Sequence, residues 1–139
     1  MSCESLPSNV VDEPIWISKK AVLAIHSTQL TEHGGSDRIR DETLLDSVLA
    51  KPRNVFAYAD QPDIFRLAAS YAFGIARNHA FVDGNKRTAL VVPLTFLDRN
   101  GWDIRASKED VYFTFLHLAD GSLNEEDLAA WLTKHAVPL

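Results

Sequence analysis

An all-α domain is the reading of this 139-residue sequence, and three observations carry it. Six stretches place apolar residues at helical spacing, no run of two-residue alternation extends beyond a few positions, and helix-starting and helix-stopping residues punctuate the chain where helices should change. With 46% hydrophobic residues the chain can bury one real core, so a single domain over residues 18–139 is expected, preceded by a tail over residues 1–17.

Each element has its own local cause. Ser18 is suited to cap a first helix running to about residue 32, with Val22, Leu23, Ile25 and Leu30 on its apolar side and Gly34-Gly35 to stop it. A polar connection, Ser36 to Arg40, follows. Asp41 caps a second helix carrying Leu44, Leu45, Val48 and Leu49, which is expected to end before Pro52, leaving residues 52–61 as a loop. Pro62 fits the first turn of a third helix. Apolar residues from Ile64 to Ala76 surround almost its whole circumference, which marks it as the central, buried helix. A fourth helix spans about Asn85 to Asn100, bent at Pro93 and ended by Gly101. Ser107 with Asp110, and Ser122 with Glu125, have the capping-box spacing for the last two.

Charge and composition exclude several functions. The net charge of −5 leaves no global footprint for wrapping nucleic acid, and no apolar stretch is long enough to span a bilayer. The start of the chain lacks the pattern of a signal peptide, so a cytoplasmic protein is expected. Cys3, the single cysteine, has no internal partner and is read as incidental. His26, His33, His117 and His135 have no mutual spacing that reads as a metal site, so core or surface roles are expected of them.

Between the third and fourth helices lies the run His79-Ala80-Phe81-Val82-Asp83-Gly84-Asn85-Lys86-Arg87-Thr88. The helix starting near Asn85 presents unpaired N–H groups and the positive end of its dipole, a natural place for phosphate. Lys86 adds a point charge and Arg87 a planar fork that can grip two oxygens, although cations there oppose the dipole unless an anion lies between them. Asn85 offers an amide and Gly84 lets backbone approach a ligand. Asp83 is the one carboxylate of the run, suited to a magnesium ion beside phosphates. His79, with an ordinary pKa near neutrality, could take a proton from an attacking hydroxyl. Phe81 is read as pinning the loop to the core. Taken singly, each has an ordinary explanation: a capping histidine, an Asp-Gly turn, a solvated helix start. A nucleotide-binding P-loop is rejected because the upstream glycine is missing and the run follows a helix instead of a strand.

As a set, these ten residues resemble the signature of the Fic/Doc fold, and Lys86 within them resembles the death-on-curing (Doc) branch. Ile39-Arg40-Asp41-Glu42-Thr43-Leu44-Leu45, Leu49-Ala50-Lys51-Pro52 and Phe96-Leu97 with Asn100-Gly101 extend the likeness, which covers about residues 18–132. The resemblance implies a helical bundle with His79 as general base, Asp83 holding Mg2+, and Gly84, Asn85, Lys86 and Arg87 at the phosphates of ATP. Arg77 matches a basic position tied to activity in Doc. The commoner Fic signature has glycine in place of Lys86 and a second arginine in place of Leu90, and those enzymes transfer AMP to a protein hydroxyl. In Doc, the departure goes with reversed nucleotide orientation and γ-phosphate transfer to a threonine of elongation factor Tu, halting translation; Gly84 is alanine in the prototype. The resemblance therefore implies a toxin kinase, with an AMP transferase and a catalytically silent binding module as alternatives. Ser122 and Glu126 match part of an inhibitory pattern of Fic enzymes, but Asp127 follows where glycine or asparagine would complete it, so inhibition in trans is expected. The implied partner is an antitoxin of the Phd kind whose tail folds on the toxin. Residues 36–40 lie near the flap that Fic enzymes lay against a target peptide, and a solvated loop explains them equally well.

Overall fold

The computed structural model describes residues 12–60 and 62–139. Among them are six helices: α1 (Lys19–His33), α2 (Glu42–Tyr58), α3 (Ile64–Asn78), α4 (Asn85–Arg99), α5 (Lys108–Asp120) and α6 (Glu125–His135). Two short strands, β1 (Trp102–Ile104) and β2 (Ala136–Pro138), pair antiparallel and tie the chain's end to the turn after α4. They are too short to show alternation in sequence.

Helix α3 is the centre of the bundle. Leu67, Ala68, Ala69, Tyr71, Ala72, Ile75 and Ala76 are all buried, and α2, α4, α5 and α6 pack around it. Small residues on α3 let the neighbours come close. At Gly74 a Cβ would lie 2.8 Å from Val48 Cγ1, so the α2–α3 crossing depends on glycine there.

Four boundaries differ from the sequence expectation. Helix α2 continues through Pro52 to Tyr58, and the expected loop over residues 52–61 shrinks to a short connection. Leu45, Val48 and Pro52 share its buried face, and Val55 and Phe56 pack against the core further along; this burial outweighs the roughly 3 kcal/mol that an interior proline costs. Pro62 stands outside α3, because Asp63 is the cap and accepts from Arg66 N at 2.8 Å. In the last helix Asn124, accepting from Asp127 N at 2.7 Å, displaces Ser122 from the capping role. Ser122 instead donates to Asp120 Oδ1 at 2.5 Å within the preceding turn. Finally, the end of the stretch expected to be a tail joins the domain: Ile17 is buried, and Trp16 stacks on Phe96 with ring centroids 6.0 Å apart. The caps at Ser18, Asp41 and Ser107 are those expected. Helix α4 runs unbroken through Pro93.

Tyr71 links the N-terminal segment to the core by accepting from Ile17 N at 3.3 Å, and burial pushes its phenol above the usual value. A phenol that ionises less readily when folded contributes stability below its unfolded pKa and loses it as pH rises through the folded one. Tyr71→Phe is therefore expected to cost about 1 kcal/mol at pH 8 by orphaning the Ile17 amide. That gap should shrink above pH 10, where unfolding releases the wild-type phenol to ionise; urea melts at both pH values would show it, and a constant gap would contradict the assignment.

Candidate active site

The motif loop, residues 79–84, hangs between the end of α3 and the start of α4, and three sets of contacts hold it. The first is the segment before α2. Arg40 N and Asp41 N donate to Ala80 O at 2.7 and 3.1 Å, Val82 N donates to Arg38 O at 3.0 Å, and Ile39 bridges to Phe81 in antiparallel fashion. Arg40 also caps α3, donating from Nε to His79 O at 2.6 Å and from Nη2 to Asn78 O at 3.0 Å. A guanidinium on the terminal carbonyls of a helix satisfies acceptors that lack partners and meets the negative end of the dipole.

The second anchor is Asn85, 7% exposed. Its Oδ1 accepts from Phe81 N at 3.1 Å and its Nδ2 donates to Phe81 O at 2.9 Å, a closed ring that fixes the turn. The amide expected as a phosphate ligand therefore also shapes the loop, and its second N–H is left over for a ligand. The third anchor is His26 on α1, 2% exposed, whose ring lies against Phe81 and whose Nε2 is 2.7 Å from Asp83 O.

Held this way, the candidate side chains of the motif face one cavity of about 400 Å³, within the size of small-molecule sites. His79, Asp83, Gly84, Asn85, Lys86 and Arg87 form its polar side. His79 is exposed and takes the left-handed conformation (φ 52°, ψ 49°) at the end of α3, a position where glycine or asparagine is usual. Gly84, at φ 81°, caps α4 without a side-chain bond, so the first-turn N–H groups of α4 receive no capping side chain. Among the described residues neither Lys86 nor Arg87 has an ion-pair partner. An uncapped helix start with two free cations suits an anion, so the donor set fits the phosphates of a nucleotide. Among the described residues Asp83 is the only carboxylate on the cavity, and its Oδ2 accepts from Ser36 N at 2.8 Å. One carboxylate beside a phosphate site fits magnesium, which keeps most of its ligands as waters and phosphate oxygens. Among the described residues no three carboxylates, histidines or cysteines gather as a protein-only metal cage.

Val82, Leu90, Tyr112, Phe115 and Leu116 supply the apolar lining of the same cavity. Leu90 stands out in the sequence as a departure from the common Fic signature; the three α5 residues do not, and their spacing of three and four is the helical signal that could have shown them. Arg77 does not line the cavity. Its guanidinium lies over Phe73, 5.6 Å from the ring centre, and against Gly121 in the α5–α6 turn. Nearby, Asp120 is held below the usual carboxylate range by the Ser122 hydroxyl and N–H, with the charges of His117 and Lys86 adding to the effect.

A sequence model described as the Fic/DOC family matches residues 16–97, the stretch that builds α1 to α4 and the motif loop. The chain belongs to the Fic/DOC family. Two curated relatives share it: the phage P1 protein named "Protein kinase doc" is 34% identical over 93 residues, which are 67% of this chain and 74% of that one. "Toxin Doc" of Mycolicibacterium smegmatis is 43% identical over 74 residues, 52% of this chain and 57% of the relative. The Fic/DOC match begins at Trp16, within the stretch expected to be a tail, and ends before α5. The apolar lining supplied by α5 therefore lies beyond the matched region.

Proposed function

We propose that this chain is a Doc-like toxin that binds ATP with Mg2+ and transfers the γ-phosphate to a hydroxyl side chain of a cytoplasmic protein, a threonine of elongation factor Tu being the candidate target. The observation that carries this reading is the convergence of His79, Asp83, Lys86 and Arg87 on one cavity at the uncapped start of α4. The names of the two relatives, a protein kinase and a toxin, support it.

In this reading the α4 amide groups, Lys86 and Arg87 bind and orient the phosphates, and Asp83 would hold the magnesium ion, which when bound offsets charge on the transferring group. His79 accepts the proton of the attacking hydroxyl. Leu90 keeps the cavity free of a second arginine, which leaves Lys86 and Arg87 as the cationic clamp and favours phosphate over AMP as the group transferred. An antitoxin of the Phd kind, inhibiting in trans by folding a tail onto the toxin, completes the proposal.

Parallel incubation of the target with α-labelled and γ-labelled ATP tests the reading. Only γ-label on protein is expected; α-label would replace it with AMP transfer, and neither label in the presence of magnesium would leave a silent binding module. Lys86→Gly is expected to lower γ-transfer at least tenfold, the equivalent of about 1.4 kcal/mol of transition-state binding. An unchanged rate would remove Lys86 from the clamp.

A further inference from the structure

We infer that His26 is a positioning residue that locks the peptide between Asp83 and Gly84 with its N–H turned to the anion site, an inference that rests on the phosphate-binding reading of that site. His26 lies on the buried face of α1 with Val22 and Leu30, each four residues away, and lines no part of the cavity. It touches the motif loop in three ways. Its ring stacks on Phe81 with centroids 3.7 Å apart and planes 12° from parallel. Its Nε2 is 2.7 Å from the Asp83 carbonyl oxygen. Its edge also closes over Gly84, where a Cβ would sit 3.3 Å from His26 Cδ2.

A carbonyl oxygen only accepts, so Nε2 carries the hydrogen and donates it. The consequence follows from peptide geometry. In a planar trans peptide the C=O and the following N–H point in opposite directions. With the Asp83 carbonyl drawn toward α1, the Gly84 N–H is turned away from α1, and Gly84 is one of the residues that line the cavity. A flip of this peptide would instead turn an oxygen toward bound phosphate. Glycine makes such flips easy, because it takes positive and negative φ about equally well, and Gly84 sits at φ 81°. The residue that lets backbone approach a phosphate is therefore the one that most needs an external lock. His26 is that lock, and the Asp83 side chain, hinged on the same peptide, is aimed by it.

Two substitutions separate the donor from the ring. His26→Gln keeps an amide donor at the same bond count from Cα, while His26→Phe keeps the stacked ring and loses the donor. In the ligand-free chain, amide exchange of Phe81 and Val82 reports whether the loop is held; calorimetry with magnesium and a non-hydrolysable ATP analogue reports the anion site. His26→Phe is expected to lose protection and affinity at least tenfold while still melting cooperatively, and His26→Gln should stay within threefold of wild type in both. Equal behaviour of the two variants, or normal loop protection and affinity in His26→Phe, would overturn the lock. Should His26→Phe not fold, a folded His26→Gln that loses tenfold in protection would overturn it equally. Wild-type protein that fails to bind the nucleotide while its loop is protected would count against the proposed function, and the exchange comparison would still judge His26.

Discussion

His79→Ala is expected to lower phosphotransfer at least 100-fold while leaving the melting temperature close to wild type. General bases contribute about 10²–10⁴ in rate, and among the described residues this is the only histidine on the cavity. Its side chain is exposed and none of the hydrogen bonds among the described residues involves its ring; Arg40 binds its backbone oxygen, which alanine retains. A companion substitution sharpens the expectation. At φ 52°, ψ 49° a residue with a Cβ is strained by about 1 kcal/mol relative to glycine. His79→Gly should therefore be as inactive as His79→Ala yet melt a few degrees higher. Initial rates with γ-labelled ATP, together with thermal melts of all three proteins, check both halves. A variant lacking His79 that retains a tenth of the wild-type rate would remove the histidine from the base role. Strain kept at a position where glycine would be more stable is what a residue selected for chemistry should show.

The pattern of residues foretold the parts of the molecule governed by local chemistry. The caps at Ser18, Asp41 and Ser107 satisfy amide groups one turn away, so four residues of sequence suffice to read them. The all-round apolar character of α3 likewise placed it at the centre of the bundle. What failed depended on distant contacts. Pro52 reads as a helix stop because the cost of an interior proline is local, whereas the burial of Pro52 and of Val55 and Phe56 that offsets it is tertiary. At the site, the polar side chains facing the cavity were legible because they are contiguous in one motif, whereas Tyr112, Phe115 and Leu116 come from a separate helix. His26, which holds that motif from 57 residues away, was not marked as functional by its own neighbourhood, and Arg40, 39 residues away, stood only within a connection read as a flap or a solvated loop. His26 did carry a hint: with Val22 and Leu30 it falls on one apolar stripe, where a polar ring should have a buried partner.

Asn85→Ala carries the second large expected effect, and it falls on stability as well as on activity. The Asn85 amide closes a ring with Phe81, donating to its O at 2.9 Å and accepting from its N at 3.1 Å. Phe81 is 1% exposed, so alanine at 85 leaves one buried donor and one buried acceptor without partners. Each such group costs about 1–3 kcal/mol, which makes a total of roughly 2–6 kcal/mol where water cannot enter. Opening of the loop would relieve part of this, at the expense of the Phe81 packing and of the aim of His79 and Asp83. A melting temperature lower by several degrees, accompanied by loss of phosphotransfer, is therefore expected. Had the side chain served as a phosphate ligand alone, the same substitution would weaken nucleotide binding and leave the ligand-free melt unchanged. Measuring the melt without nucleotide separates the two roles, since a loop-forming hydrogen bond is already made before any ligand arrives.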